Sequence, residues 1–139
     1  MPVAERAARG HRTAVRFLLP AVVLAACVPA PAPVASSTPE AAVRDFSRAL
    51  ADGNPGAAWT LLSEATRKKA DALATAGGRD GGGQEMLFSS GYPLGKLGST
   101  RLISGSGDEA MVRVEAEGSP PQDVRLVREG GAWRLDLPL

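Results

Sequence analysis

The feature that most limits what this chain can fold into is a short apolar run, residues 17–26 (FLLPAVVLAA), that ends at Cys27 and gives way to alternating proline and alanine. A helix needs about 20 apolar residues to span a bilayer, and this run falls well short. Pro20 also disfavours a buried core helix. Ahead of the run stand Arg6, Arg9, Arg12 and Arg16 against Glu5. A basic stretch, a short apolar run and then small residues is the order of an export signal. Residues 1–26 are therefore read as a leader, removed from the fold. Residues 27–37 follow as Cys27 and a linker (VPAPAPVASS), whose Pro/Ala alternation favours an extended, semi-rigid spacer at ~3.1 Å per residue. Folding is left to residues 38–139.

Leu24-Ala25-Ala26-Cys27 resembles the lipobox of bacterial lipoproteins. The resemblance implies that the Cys27 thiol receives a diacylglycerol, that the chain is cut just before it, and that the new amine is acylated. It implies an exported protein held to the cell envelope by lipid. With Val28 rather than Asp after the cysteine, it implies the periplasmic face of the outer membrane where a cell has two membranes. Cys27 is the one cysteine of the chain, so an internal disulfide is excluded.

Cleavage would also change the charge. Taking four arginines and one glutamate from 16 basic and 15 acidic residues leaves 12 and 14, a net of −2. A mature domain of that charge has no basic footprint for nucleic acid. Aromatic residues make up 4% of the chain, too few for base-stacking platforms. Much of the apolar content is alanine, which buries little area per residue, so a modest core is expected.

Within the domain, Thr38-Pro39-Glu40 opens a helix: Thr38 caps, Pro39 suits the first position and Glu40 favours the positive end of the dipole. Val43, Phe46 and Leu50, with Ala42 and Ala49, form one apolar face. Gly53 stops this helix. Asn54-Pro55 starts a second one carrying Ala58, Trp59, Leu61 and Leu62. Ser63 caps a third, over residues 64–76, with a solvated basic stretch at Arg67-Lys68-Lys69. Residues 77–83 (GGRDGGG) read as a flexible loop, followed by an apolar patch at Met86, Leu87 and Phe88. A turn is expected at Gly91-Tyr92-Pro93, and residues 77–98 as a whole carry no clear period. The last third reads as an antiparallel meander. A strand over residues 100–104 turns at residues 105–108. Val112, Val114 and Ala116 then alternate with Arg113, Glu115 and Glu117. After Ser119-Pro120-Pro121 come a strand over residues 124–129, a two-residue hairpin turn at Gly130-Gly131, and a last strand with Trp133, Leu135 and Leu137 facing inward. Helices followed by a strand meander make an α+β domain.

Two segments are similar to the NTF2-like (SnoaL-like, cystatin-like) superfamily. One runs from Pro39-Glu40-Ala41-Ala42-Val43-Arg44-Asp45-Phe46 through Ala49-Leu50 and Gly53-Asn54 to Ala58-Trp59 and Leu61-Leu62-Ser63. The other is Val124-Arg125-Leu126-Val127 with Gly131-Ala132-Trp133-Arg134-Leu135. The resemblance implies N-terminal helices packed on a curved antiparallel sheet that forms a cone, with Trp59 and Trp133 in its packing. The superfamily includes isomerases, dehydratases, binding domains and assembly modules, so the fold names no activity.

The catalytic inventory is thin. His11, the one histidine, lies in the leader, so the mature domain has no imidazole base and no histidine metal ligand. Lipid on Cys27 would close thiol chemistry. No Ser-x-x-Lys or Gly-x-Ser-x-Gly occurs. The glycines of residues 77–83 lack the Lys-Ser/Thr of a phosphate loop, and residues 91–96 have Leu97 where that loop needs a hydroxyl. Asp108-Glu109 reads as a solvated turn pair rather than a cation site. In a family-type pocket, Tyr92, Asp71 or Glu85 are the candidates for a general base. No cofactor, metal site or catalytic residue is assigned. The favoured expectation is a non-catalytic lipoprotein whose domain binds an envelope protein or a small apolar ligand. The alternatives are a small pocket enzyme of isomerase or dehydratase type and a structural or assembly module.

Overall fold

Thr38 starts the first helix because its hydroxyl supplies an acceptor that the first turn lacks. The Ala41 N–H donates to Thr38 Oγ1 at 3.2 Å, and Pro39 takes the first position without losing a bond. The computed structural model describes residues 35–89 and 96–139. In it α1 (Pro39–Ala51) buries Ala42, Val43, Phe46 and Ala49 of the face predicted from their spacing, with Leu50 half-buried at its edge. Gly53 leaves the helix at φ +64°, a region that favours glycine. Asn54 Oδ1 then accepts from the Ala57 N–H at 3.0 Å and opens α2 (Pro55–Thr60). Ser63 Oγ accepts from the Thr66 N–H at 3.0 Å and opens α3 (Glu64–Ala76).

The glycine-rich stretch departs from expectation. Residues 77–83 are not wholly loop: α4 (Gly82–Phe88) begins inside them. Gly81 at the N-cap has no side chain to offer, so Asp71 on α3 supplies the acceptor, taking the Gly83 N–H at 2.8 Å. Gly83 is buried, and a Cβ on it would lie 2.6 Å from the backbone of Ala70 and Asp71. The glycine therefore serves helix–helix contact between α3 and α4. Leu87 and Phe88, on α4, pack against the core, with the Phe88 ring centroid 6.3 Å from that of Phe46.

Four strands form one antiparallel sheet in sequence order: β1 (Leu97–Ser106), β2 (Glu109–Ala116), β3 (Gln122–Glu129) and β4 (Ala132–Asp136). β1 is longer at both ends than the apolar pattern indicated, because most of its residues are exposed and carry no alternation. The β3–β4 turn is Gly130-Gly131, at φ +58° and +81°, the positive pair that a two-residue hairpin requires. Cross-strand register sets Val112 opposite Val124 and Leu126 opposite Leu135, placing these side chains on one face.

That face is covered by α1, which packs across β1, β2 and β4. The described region is thus an α+β fold. Phe46, Leu61, Leu62, Val112 and Leu126 are fully buried at the interface. Trp133 is 8% exposed, and Trp59 packs at the rim of the same cluster. The helical half also joins the sheet by backbone: Leu62 bridges Leu135 in parallel, with the Ser63 N–H to Leu135 O and the Leu135 N–H to Leu61 O, both at 2.8 Å.

Phe46→Ala is expected to cost about 3–5 kcal/mol, since it empties a site that cannot collapse. Gly83→Ala should cost about 1–3 kcal/mol by forcing α3 and α4 apart. Urea denaturation checks both, and a Gly83→Ala protein as stable as the parent would remove the close-contact account of α4.

Candidate functional site

The polar residues with most partners lie on the face of the sheet away from α1. Arg125 on β3 donates from Nη1 to Asp136 Oδ2 and from Nη2 to Glu109 Oε1, both at 2.7 Å. Asp136 on β4 also accepts from Ser63 Oγ at 2.8 Å and from Thr66 Oγ1 at 3.3 Å. The Leu137 N–H donates to Thr66 Oγ1 at 2.9 Å. Glu129 takes the Glu64 N–H at 3.0 and 3.1 Å on its two oxygens, adding negative charge where the α3 dipole is positive. The start of α3 is thereby fastened to β3 and β4 by side chains that are far apart in sequence.

This cluster contains a hydroxyl beside a carboxylate, the minimal parts of an activated nucleophile. Its burial argues for another role. Ser63 is 0% exposed and Thr66 2% exposed, so a substrate has no approach to either oxygen. Ser63 Oγ lies 2.8 Å from Asp136 Oδ1 and 3.0 Å from Thr66 Oγ1, so the hydroxyls are engaged within the cluster. The arrangement holds secondary structure together. Asp136 and Glu129 went unassigned in the sequence because they alternate outward along their strands, where a carboxylate ordinarily meets water.

The sequence-derived candidates do not converge. Asp71 is exposed on α3, and its Oδ1 is engaged by Gly83. Glu85 is exposed on α4, at the rim of an open depression of about 420 Å³ that Pro55, Gln84 and Phe88 also line. Asp108 and Glu109 diverge: Asp108 offers its backbone carbonyl to the Arg128 N–H at 2.7 Å, while the Glu109 carboxylate pairs with Arg125. A second open depression of about 210 Å³ lies beside that pair, bordered by Ser104, Ser106 and Met111. Among the described residues no group of three or more Asp, Glu, His or Cys is placed to hold a metal ion. Tyr92, the lipobox Leu24, Ala25 and Ala26, and Cys27 lie outside the described residues. The space between α1 and the sheet, where a family-type pocket would form, is occupied by Phe46, Val112, Val114, Leu126 and Leu135.

Several charges of the exposed surface stand in opposite-sign pairs. Arg113 makes a two-pronged contact with Asp123, Nε to Oδ1 at 2.8 Å and Nη2 to Oδ2 at 2.9 Å. Those hydrogen bonds, and then the guanidinium charge, hold the Asp123 carboxyl below its usual range. Lys68 does the same to Glu64, first through its hydrogen bond and then through its charge. Both pairs are solvent-facing and contribute little to stability. What they contribute is present above the ordinary carboxylate range and is lost as pH falls through the lowered values.

No family model, curated protein or solved structure matches the chain.

Asp136→Ala should lower stability by about 1–3 kcal/mol, because the buried Ser63 and Thr66 hydroxyls then lose their carboxylate acceptor. Urea denaturation reads this, and a loss below experimental error would deny the cluster its fastening role. An NMR titration should find Asp123 changing protonation at lower pH than an ordinary aspartate. Arg113→Ala should move that midpoint upward, and an unchanged midpoint would break the link between the pair and the shift.

Proposed function

We propose that the chain is exported, cut before Cys27 and anchored by acyl groups on that residue, and that its α+β domain is a non-catalytic binding or interaction module of the cell envelope. The observation that carries this reading is Leu24-Ala25-Ala26-Cys27 at the end of a short apolar run, behind a basic leader. Each buried CH₂ contributes about 0.8 kcal/mol, so two or three acyl chains anchor where one is marginal. No helix among the described residues is long and apolar enough to cross a membrane, and a lipid anchor needs none.

Local structure supports the tether. Ser36 is 3% exposed, its Oγ donates to Asp45 Oδ2 at 2.8 Å, and its carbonyl accepts the Trp133 N–H at 3.2 Å. The chain is thus gripped by the domain at a fixed point beside β4. Residues 28–35 lie between Cys27 and that grip, and fully extended they span ~25 Å at ~3.1 Å per residue. The domain would stand just clear of the lipid headgroups, on the periplasmic face of the outer membrane in a two-membrane cell.

An NTF2-like architecture is part of the same proposal. The two capped helices, the β3–β4 hairpin and the packing of Trp59 and Trp133 support it. The apolar filling between α1 and the sheet favours binding at the surface over chemistry in a cone.

Mass spectrometry of the N-terminus, on protein from the membrane fraction of its native cell, tests the proposal. The expected result is a diacylated or triacylated peptide beginning at Cys27, lost in Cys27→Ser together with membrane retention. An unmodified chain beginning at Met1 would refute it and return His11 and a free Cys27 to the chemical inventory.

A further inference from the structure

The two edges of the sheet are treated differently. At β4 the outer edge is engaged by the chain itself, through Ser36 to Trp133 and through Leu61 and Ser63 to Leu135. At β1, among the described residues, backbone bonds run to β2 on one side and to nothing on the other. Edge strands are ordinarily blunted by charges, prolines or bulges. Residues 97–106 hold no proline and one charge, Arg101. They also expose Leu102 and Ile103, at 43% and 45%. Bulges at Gly98 and Ile103 leave residues 99–102 as a regular stretch.

We propose that this edge pairs antiparallel with the same edge of a second copy, giving a two-fold dimer with one continuous sheet centred on Thr100. The centre follows from strand geometry. Side chains alternate between faces, so a two-fold pairing that keeps both inner faces on one side is centred on a residue. Within the regular stretch only Thr100 or Arg101 has a regular neighbour on both sides. Centring on Arg101 sets like charges opposite each other, which is destabilising. Centring on Thr100 sets threonine opposite threonine and Arg101 opposite Ser99 of the second copy.

That register also gives Arg101 an acidic partner. In its own copy it stands opposite Arg113, with no carboxylate in ion-pair reach among the described residues. Ser99 Oγ donates to Glu115 Oε2 at 2.9 Å, so the exposed Glu115 carboxylate lies behind Ser99. Arg101 of one copy therefore faces Glu115 of the other, twice across the axis. With one free sheet edge per copy among the described residues, the assembly closes at two and does not grow into a filament. The chain's own linker is a poor competitor, since Pro29, Pro31 and Pro33 lack the N–H groups a pairing strand needs. The dimer stands whether or not Cys27 is acylated.

The test uses the full chain carrying Cys27→Ser, so that an introduced thiol is alone. The pairing puts the two Thr100 Cα atoms ~5 Å apart, within disulfide range. It puts the two Leu102 positions ~14 Å apart along the strands, out of range. Mild oxidation followed by non-reducing electrophoresis should therefore give a covalent homodimer with Thr100→Cys, at least about tenfold more than with Leu102→Cys. By sedimentation, Arg101→Glu should weaken the dimer by roughly tenfold, about 1.4 kcal/mol. Adding Glu115→Arg to Arg101→Glu should restore it. A monomer throughout, equal crosslinking at both positions, a crosslink to a different protein, or no rescue by the charge swap would each overturn the proposal.

Discussion

The rest of the domain depends on two backbone hydrogen bonds, from Ser63 N–H to Leu135 O and from Leu135 N–H to Leu61 O, each 2.8 Å. They join residues more than seventy apart and add the α2–α3 connection to the sheet beside β4. With that segment in place, Leu61 and Leu62 enter the core, and Ser63 is set where it caps α3 and reaches Asp136. The bonds replace water at a strand edge that would otherwise be open. A buried backbone pair is costly to break, because each group would be left without a partner.

Small residues shape the remainder. Ala42, Ala49, Ala58, Ala70 and Ala74 are buried, and at Ala70 helix backbone comes close to its neighbour. Gly83 against Ala70 is the extreme case, where even a methyl group has no room. Close approach compensates in part for the small apolar area of alanine, since dispersion depends on contact distance. It also leaves little volume between α1 and the sheet, which is why the inner face is filled rather than hollow. The large side chains, Phe46, Leu126, Leu135 and Trp133, take up what space remains.

Polar chemistry is accordingly displaced to the outside. On the outer sheet face Arg113 pairs with Asp123 and Arg125 with Glu109 and Asp136, and Asp136 binds two buried hydroxyls into the same network. A network of this kind fixes geometry more than it supplies stability, because its members exchange water for one another. Among the described residues the β4 edge is engaged by the chain itself, while β1 makes backbone bonds on its β2 side alone.

Much of the fold was legible in the sequence. Thr38, Asn54 and Ser63 announce their helices because capping is a local contract between a side chain and backbone two or three residues on. Gly130-Gly131 announces its hairpin because two successive positive φ values exclude most other residues. Val112 and Val114 announce a half-buried strand by their period. The start of α4 was not legible, since a helix opened by glycines has no local cap signal; Asp71, twelve residues earlier, supplies it only once α3 and α4 are packed. β1 was read too short because an exposed edge strand needs no alternation. Asp136 and Glu129 looked like surface carboxylates, and only the return of α3 to β4 made them partners. By itself the sequence determined what rests on neighbours along the chain: caps, turns, strand period and the leader-like run before Cys27. The tertiary structure decided what rests on residues brought together across tens of positions: which edge is closed, which acids are engaged and whether the inner face is filled. Those outcomes come from packing and from long-range hydrogen bonds, which no local spacing encodes.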